Sequence, residues 1–343
     1  MKYAHTGLYH FCYQLGKHML NSCPADKEMH FFYNNKTPKV FGETANYRDQ
    51  YSLQKHFMPA MRGFDLWHST FQLTTYLPRR KRVKVISTIH DLNFLQEFKS
   101  DSKIKRYVKK IQKLVDRSQE VVAISHYVKK DIEKHCNLKG KTVHVIYNGN
   151  NINAELANQE NDAPIVSGNY LYTIGTINRK KNFHTLLYLL LGNDLKLVIS
   201  GVVHEPEYHE KIKQLAQDLG VADRVTLTLG ITEEEKYNYL KHCAVFCFPS
   251  IAEGFGLPVI EAMSFGKKVL LSKYTCLPEI GGEEAFYLDE TSEAYMENFG
   301  RNKIMQLVEM PPRTAEIKQW ASQFSWEKAA KSYWEIYNRM LTQ

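Results

Sequence analysis

The chain has 343 residues, which is more than one hydrophobic core usually holds, so we expect two domains. Apolar residues make up 43% and charged residues 24%, and no apolar run approaches the roughly 18–20 residues of a membrane span. The six cysteines lack CxxC spacing and the first residues lack a signal-peptide pattern, which favours reduced thiols in a cytoplasmic protein over a disulfide framework or a zinc site.

Positive charge is concentrated in the first part of the chain. Residues 1–150 contain 26 Lys and Arg against 12 Asp and Glu, a balance of +14, and the remainder contains 19 against 25, a balance of −6. This asymmetry predicts an anionic partner for the first half, such as nucleic acid, a membrane surface or a phosphorylated substrate.

Short apolar runs alternate with helical patterns along the chain, and runs rich in Val, Ile and Phe predict buried strands. In the first half the predicted strands are 83–92, 120–125 and 142–149, with helices at 102–117 and 125–136. In the second half the predicted strands are 170–175, 195–201, 224–230, 244–249 and 267–272, with helices at 207–220 and 233–243. This alternation predicts an α/β protein made of two doubly wound, Rossmann-like domains.

A polar segment at 153–169 contains Pro and Gly without periodicity and is the predicted linker. We therefore place an N-terminal domain at 1–155 and a C-terminal domain at 165–316. The stretch from Ile317 to Met340 is rich in aromatic residues and predicts one further helix.

The stretch AEGFGLPVIEA at 252–262 joins a predicted strand to a predicted short helix. Glu253 falls in the loop and Glu261 in the first turn of the helix, and the glycines let the backbone approach a ligand. Doubly wound sheets bind ligands at this edge, where a helix N-terminus attracts anions. Carboxylates suit sugar hydroxyls instead. The stretch therefore predicts a ligand with hydroxyls at both ends and phosphates between, as in a nucleoside diphosphate sugar.

A second loop, TINRKKN at 176–182, follows the strand at 170–175 and contains Arg179, Lys180 and Lys181. Basic residues beside a helix N-terminus are suited to bind a diphosphate. Each feature alone has a plainer explanation, because Glu261 could complement the helix dipole and the lysines could form a solvated loop. Their combination favours a nucleotide-sugar site.

Several motifs resemble those of the GT-B fold glycosyltransferases, in particular the large retaining family 4. The matching stretches are TIHDLNFL at 88–95, VVAISHYVKKDI at 121–132, VIYNGN at 145–150, YTIGTINRKKNFHTLL at 172–187, SIAEGFGLPVIEAMSFG at 250–266 and LPEIGG at 277–282. The resemblance covers nearly the whole chain in the family's order. It implies two Rossmann-like domains facing a cleft, with segment 317–343 packing back on the first.

The resemblance implies roles for the matching residues of the second domain. Glu253 would hold hydroxyls of the donor sugar and Glu261 those of the ribose. Lys181, with Lys180 beside it, would hold the diphosphate and stabilise the leaving group. Backbone N–H groups facing sugar and phosphate would come from Phe255, Gly256 and Leu257.

Four further residues match family positions at other places in the chain. His90 would lie near the donor sugar, Ser125 near the phosphate and Ile231 near the nucleobase. Gly7 belongs to the glycine loop that shapes the acceptor side. That loop follows only five residues here, so the first strand is either unusually short or trimmed, which weakens the acceptor assignment. The turn at 148–151 also lacks the family's acid.

The family transfers sugars with retention at the anomeric carbon. No Asp-x-Asp motif is present, so the resemblance implies no metal and no cofactor. The loop with Arg179 is similar to that of mannosyltransferases, which gives a mild preference for GDP-mannose. The expected acceptor is a glycan or a lipid-linked glycan in surface polysaccharide synthesis.

Other interpretations remain open at this point. The basic helix at 102–117 could pack its apolar side on its own sheet or rest on anionic lipid, so contact of a cytoplasmic enzyme with the inner face of a membrane is a hypothesis. A nucleic-acid-binding Rossmann-like protein would use the same lysines, but the sequence shows no recognition motif, and we expect no nucleic acid. A sugar-nucleotide epimerase or hydrolase would share the fold.

Overall fold

The computed structural model describes residues 7–34, 36–97, 100–153, 157 and 163–342. The chain divides into two compact units, of which the first combines residues 1–151 with 324–343 and the second is residues 152–323. The predicted domain boundary at 155 and part of the predicted linker, residues 154–156 and 158–162, lie outside the described residues.

Helices and strands alternate along the described part of both units. The elements up to residue 145 are α1 (Gly7–Asn21), β1 (His30–Tyr33), β2 (Asn46–Asp49), β3 (Leu66–Ser69), β4 (Lys84–Ile89), α2 (Asp101–Arg117), β5 (Glu120–Ala123), α3 (His126–His135) and β6 (Val143–Val145). Those after it are β7 (Tyr170–Ile174), β8 (Lys196–Gly201), α4 (Pro206–Asp218), β9 (Val225–Leu229), α5 (Glu233–His242), β10 (Val245–Phe248), α6 (Leu257–Ser264), β11 (Val269–Ser272), α7 (Leu277–Gly281), β12 (Phe286–Leu288), α8 (Glu293–Asn302), α9 (Ile304–Glu309), α10 (Thr314–Ala321) and α11 (Trp326–Thr342).

The second unit is built on a six-stranded parallel sheet with the order β12-β11-β10-β7-β8-β9. Its first strand, β7, lies in the middle, and the chain adds strands on one side of β7 before crossing to the other. The direction of winding therefore reverses between β7 and β10. In doubly wound folds this switch point is where ligands bind, outside the carboxyl ends of the strands.

The first unit has a four-stranded parallel sheet, ordered β3-β4-β5-β6, and a separate parallel pair, β1-β2. The predicted parallel α/β architecture is thus confirmed in both units. The strands predicted in the first half correspond to β4, β5 and β6, and the five predicted in the second half to β7–β11. The sequence patterns missed β1, β2, β3 and β12, which have only three or four residues each.

Two segments differ from the sequence-based expectation. The predicted helix after the loop at 176–182 is a 3₁₀ helix, Phe183–Leu190, in which seven of eight residues are buried. The single helix expected from Ile317 to Met340 is two helices, α10 and α11, separated at residues 322–325.

The segment predicted at 317–343 is divided between the units. Residues 317–323 pack in the second unit, where Ile317 and Ala321 are buried and the Trp320 indole donates to the carbonyl of Ile280 at 2.8 Å. From Phe324 onward the chain belongs to the first unit.

Helix α11 is fixed in the first unit by buried polar contacts. The Tyr333 hydroxyl lies 2.7 Å from Thr88 Oγ1, and the Tyr337 hydroxyl lies 2.7 Å from His68 Nδ1. The Trp334 indole donates to the Met19 carbonyl at 3.2 Å, which joins α11 to α1.

The apolar side of the basic helix α2 packs inside the first unit. This agrees with the interpretation in which that side packs within its own domain and does not rest on lipid. Ile111, Leu114 and Val115 are fully buried, and the Tyr107 ring packs against that of Phe94 in a tilted arrangement, with ring centroids 5.2 Å apart. Lysines on the remaining sides are exposed. In the described part of the chain, no helix combines the length and apolar character needed to cross a bilayer.

Lys268, just before β11, caps the C-terminal end of helix α9 in the second unit. Its Nζ donates to the carbonyls of Leu307, Val308 and Met310, each at 2.7 Å, while burial lowers its pKa. Substitution by Met removes all three bonds and leaves the carbonyls poorly solvated. We expect Lys268→Met to lower the free energy of unfolding by about 2–4 kcal/mol.

Urea denaturation measures this change, and the neighbouring Lys267→Met is the matched control, expected to stay within about 0.5 kcal/mol. Equal losses in the two variants would show that the three carbonyl contacts do not stabilise the fold.

Candidate nucleotide-sugar site

Two loops converge at the switch point of the second unit. The first follows β7 and contains the short 3₁₀ helix Arg179–Lys181, and the second, residues 249–256, follows β10. Because β7 and β10 are adjacent parallel strands, their carboxyl ends lie at the same edge of the sheet. The carbonyl of Lys180 accepts a hydrogen bond from the Ile251 amide at 2.9 Å, which joins the two loops.

Local backbone bonding presents Lys181 to the second loop. Asn178 caps the 3₁₀ helix, because its Oδ1 accepts from the Lys181 amide at 3.3 Å. Asn182 then takes the left-handed conformation, with φ 59°, which ends this turn. Lys181 is consequently buried, with 9% of its surface exposed.

Lys181 and Glu253 form a buried ion pair between the loops. Lys181 Nζ lies 2.6 Å from Glu253 Oε1, and the side chains are 11% and 12% exposed. Ser250 Oγ also lies 2.6 Å from Glu253 Oε1, and Lys181 Nζ lies 4.6 Å from the centroid of the Phe248 ring. Both donors contact the same oxygen, Oε1.

The environment keeps Glu253 ionised. Burial by itself would raise the pKa of this carboxyl, but the charges of Lys181 and Lys180 and the hydrogen bonds from Lys181 and Ser250 outweigh burial and lower the pKa below its usual value. A carboxylate so held accepts hydrogen bonds without acting as a proton donor at neutral pH.

The turn after Glu253 is shaped by backbone contacts. The Glu253 amide donates to Thr275 Oγ1 at 3.1 Å, and Cys276 Sγ contacts its carbonyl at 3.4 Å. Gly256 has φ 95°, and a Cβ there would lie 3.1 Å from Leu277 Cδ2, so this position requires glycine. Helix α6 starts at Leu257, and Phe255 before it is buried.

Glu261 is paired with a lysine that sequence analysis did not identify. It is the fifth residue of α6, one position beyond the predicted first turn, and is buried. Lys236 Nζ, on α5, lies 3.5 Å from Glu261 Oε2 and 2.9 Å from Glu233 Oε2. Burial would lower the pKa of Lys236, but the charges of Glu261 and Glu233 outweigh it and raise the pKa, so the lysine stays protonated.

The remaining predicted residues of the second unit lie around these loops. Lys180 is half-buried next to Lys181, whereas Arg179 points to the acids of the neighbouring segment, 3.4 Å from both Glu205 and Glu207. Ile231 is half-buried between β9 and α5, two residues before the first residue of α5. Within the described residues, no group of three or more His, Cys, Asp and Glu side chains is placed to hold a metal ion.

His90 lies at the carboxyl end of β4 in the first unit and is buried. Its Nε2 lies 2.8 Å from the Thr70 carbonyl, and since a carbonyl only accepts, Nε2 holds the proton and Nδ1 is an acceptor. Burial lowers the pKa of His90 to about 4, although the bond to Thr70 opposes this. The imidazole is therefore neutral at physiological pH.

Ser125 and Gly7 also lie in the first unit. Ser125 is fully buried and caps α3, since its Oγ accepts from the Val128 amide at 3.2 Å. Gly7 is exposed at the start of α1, and a Cβ there would meet nothing within 4 Å. The structure describes these placements, while the roles of both residues stay predictions.

Sequence reasoning missed Ser250 and Lys236, which position the two glutamates. Ser250 lies three residues before Glu253, and Lys236 lies three after Glu233, so each has one local signal. Nothing in the sequence indicates that Lys236 reaches Glu261, because that contact depends on how α5 and α6 pack.

Comparisons with known proteins agree with this geometry. The family model described as glycosyl transferases group 1 matches residues 157–319, and that described as glycosyltransferase family 4 matches residues 23–153. The chain is 26% identical over 245 residues to the O-antigen chain mannosyltransferase RfbU of Salmonella typhimurium, covering 70% of this chain and 65% of the relative. It is 26% identical over 278 residues to O-antigen chain mannosyltransferase B of Escherichia coli, covering 74% and 69%.

Among solved structures, sucrose-phosphate synthase from Thermosynechococcus elongatus superposes with a TM-score of 0.76 over 98% of this chain and 94% of that one, at 17% identity. This similarity shows a GT-B fold. The two family models account together for most of the chain, and the chain belongs to the group 1 glycosyltransferases of family 4. The aligned region spans about two thirds of the two mannosyltransferases.

The ion pair between the loops predicts a pH-dependent loss on substitution. In Lys181→Met the buried carboxylate of Glu253 loses its paired cation, and we expect the free energy of unfolding at pH 7 to fall by about 3 kcal/mol. The folded-state pKa of Glu253 is below 4.5, so the contribution of the pair is complete above that pH and is lost as the pH falls through the folded-state value.

Urea denaturation at several pH values, with the double variant Lys181→Met/Glu253→Gln, isolates the pair. Lys180→Met, at the half-buried neighbour, should cost clearly less. A loss in Lys181→Met that is the same in the Glu253→Gln background would contradict the coupling.

The buried neutral imidazole of His90 makes a second prediction. Its pKa is about 4 in the folded protein against 6.5 for the free group, so only the unfolded chain takes up this proton between those values. Stability is therefore lost as the pH falls below about 6.5. Between pH 6.5 and 5 the loss from His90 should be about 2 kcal/mol.

Denaturation of wild type and His90→Gln at both pH values measures this loss, which should be absent from the variant. The exposed His56→Gln serves as control and should behave as wild type. The same acid-side loss in wild type and His90→Gln would mean that His90 is protonated in the folded state.

Proposed function

We propose that this protein transfers a hexose, with mannose from GDP-mannose preferred, to a glycan or lipid-linked acceptor in surface polysaccharide synthesis. The observation that supports this best is the Lys181–Glu253 pair at the switch point of the second unit, at 2.6 Å. The lysine suits a diphosphate, and the carboxylate beside it can accept hydrogen bonds from sugar hydroxyls. The pair therefore suits the junction between the diphosphate and the hexose of a nucleotide sugar. The names of the two mannosyltransferase relatives support the choice of sugar.

In the proposed reaction Glu253 binds donor hydroxyls through the oxygen that its protein partners leave open. Lys181 and Ser250 both contact Oε1, and among the described residues no donor contacts Oε2. The ionised carboxylate strengthens hydrogen bonds donated by sugar hydroxyls. Lys181 thereby fixes the orientation of Glu253 as well as its charge.

The leaving diphosphate gains negative charge as the glycosidic bond breaks. Lys181 Nζ has three N–H bonds, of which Glu253 takes one, and Lys180 lies next to it. The two lysines would stabilise the departing oxygen together with backbone N–H groups at the start of α6, those of Phe255, Gly256 and Leu257. We propose that these lysines and N–H groups take the place of a metal ion. We also propose that the transfer retains the anomeric configuration of the sugar.

Glu261 would bind the ribose hydroxyls, and Lys236 would hold it in place. The lysine is shared with Glu233, whose side chain is 53% exposed, so Lys236 is not the exclusive partner of Glu261. Ile231, in the loop between β9 and α5, would contact the base.

In the first unit, His90 would accept a hydrogen bond through Nδ1, because Nε2 is bound to the Thr70 carbonyl. A neutral acceptor suits a hydroxyl of the donor sugar. Ser125 would lie near the phosphate, and Gly7 on the acceptor side.

The exposed lysines of α2 would hold the enzyme on an anionic membrane, where a lipid-linked acceptor resides. The apolar side of α2 is packed inward, so the contact would be electrostatic and would weaken as salt rises. We propose a location at the cytoplasmic face of the membrane, with no nucleic acid as partner.

Nucleotide binding tests the donor site. We expect one of GDP, UDP and ADP, with its sugar, to stabilise the protein in the presence of EDTA, by about 2.7 kcal/mol at 100 times its dissociation constant. Glu261→Gln should weaken this binding about tenfold, because ribose hydroxyls lose a charged acceptor. Thermal shift titrations give both values.

The matched control is Glu233→Gln, which removes the other partner of Lys236 and should change nucleotide affinity less than twofold. Equal weakening in both variants would contradict a ribose role for Glu261. Activity with GDP-mannose should fall at least a hundredfold in Glu253→Gln, and NMR of the product should show the donor's anomeric configuration. Free sugar or epimerised donor as the sole product would indicate a hydrolase or epimerase.

A further inference from the structure

Thr275 has a backbone conformation that its own side chain disfavours. Its φ is 55°, in the left-handed region, where a β-branched residue is a rare outlier. In the part of the chain that the structure describes, three other non-glycine residues have a positive φ, Met61, Lys139 and Asn182, and none of these is β-branched. Glycine would adopt this conformation without strain, so the presence of a threonine needs a physical reason.

The loop that contains Thr275 lies beside the loop that contains Glu253. Residues 273–276 join β11 to α7, and β11 is a parallel neighbour of β10 in the sheet. The carboxyl ends of parallel neighbours lie at the same edge of a sheet, so the loops that follow β10 and β11 adjoin each other. Thr275 therefore lies at the edge of the sheet where the candidate nucleotide-sugar site is.

Two consecutive residues of this loop hold both backbone polar groups of Glu253. The Glu253 amide donates to Thr275 Oγ1 at 3.1 Å, and Cys276 Sγ lies 3.4 Å from the Glu253 carbonyl. Burial, with the charges of Glu253 and Glu279, raises the pKa of Cys276, so the thiol keeps its proton and donates a hydrogen bond. In extended backbone successive side chains point to opposite sides, so the left-handed turn at Thr275 lets both side chains reach one residue.

These backbone contacts complement those that hold the side chain of Glu253. Lys181 Nζ and Ser250 Oγ each lie 2.6 Å from Glu253 Oε1 and orient the carboxylate. The Thr275 hydroxyl instead fixes the backbone from which this carboxylate projects. Such precision matters in a catalytic site, because a displacement of about 1 Å can lower a rate about a hundredfold.

We propose that Thr275 is a positioning residue for sugar transfer, because its hydroxyl holds the backbone of Glu253 where the carboxylate meets the donor sugar. This rests on the proposed function, in which Glu253 binds donor hydroxyls. The hydroxyl is an acceptor that glycine lacks, which explains a strained threonine at a position where glycine would fit. Strained residues of this kind cluster at functional sites, where the surrounding structure holds them in place.

Three substitutions at Thr275 separate the hydroxyl from the strain. Thr275→Ser keeps the hydroxyl, Thr275→Ala removes it and keeps a strained Cβ, and Thr275→Gly removes both. With GDP-mannose we expect kcat to stay within about threefold of wild type in Thr275→Ser and to fall about tenfold or more in the other two. The KM and the affinity for GDP should change less than about twofold, because the nucleotide contacts are untouched.

Urea denaturation of the same variants measures the strain. Thr275→Gly should be more stable than Thr275→Ala, because glycine adopts the left-handed conformation without strain. The two variants should nevertheless be equally poor enzymes, since both lack the hydroxyl. Activity would then follow the hydroxyl and not the stability of the fold.

Hydrogen exchange of the Glu253 amide tests the contact without any substrate. Exchange should be about tenfold faster than in wild type in Thr275→Ala and Thr275→Gly, which lose the acceptor, and unchanged in Thr275→Ser. The matched control is Lys139→Gly, which replaces another left-handed residue, between α3 and β6. It should change neither kcat nor the exchange of this amide.

A kcat that is restored in Thr275→Gly relative to Thr275→Ala would show a structural role only and would overturn the proposal. The same conclusion would follow from a loss in Thr275→Ser equal to that in Thr275→Ala, or from Glu253 exchange that is the same in all variants. A wild-type protein that transfers no sugar would instead overturn the proposed function, and the exchange data would still decide whether the Thr275 hydroxyl holds Glu253.

Discussion

The candidate nucleotide-sugar site depends on one buried ion pair, between Lys181 and Glu253 at the edge of the second sheet. The two residues come from loops 72 positions apart, after neighbouring strands, and each would be a buried isolated charge without the other. Because β7 and β10 are neighbours in the sheet, the loops that follow them bring Lys181 and Glu253 together. The strand order therefore also determines that both side chains are charged.

The two glutamates of the site are held in different ways. Glu253 shares one carboxylate oxygen between a lysine and a serine, while Glu261 shares a lysine with a second, exposed glutamate. Each acid thus has a cation nearby, which leaves Lys180 as the cation of the predicted set whose charge no described ion pair uses.

The sequence predicted the second unit better than the first for physical reasons. Four of its strands, β7, β8, β10 and β11, are mostly or fully buried and form continuous apolar runs, so they were found from the apolar pattern alone. In the first unit β1, β2 and β3 are four residues long and partly exposed, and their polar and aromatic residues hide the strand pattern. The contact of Lys236 with Glu261 needed the three-dimensional packing, because the two residues lie on different helices.

The order of the units along the chain has a consequence for synthesis. The first unit needs α11, whose tyrosines reach His68 and Thr88, yet α11 is the last element of the chain. A ribosome adding about 5–20 residues per second would release the whole of the second unit, residues 152–323, during the roughly ten to thirty seconds before α11 emerges. Synthesis of the first unit thus begins first and is completed last. Until α11 emerges, the apolar surface that α11 covers stays exposed on the nascent chain, where chaperones can bind it.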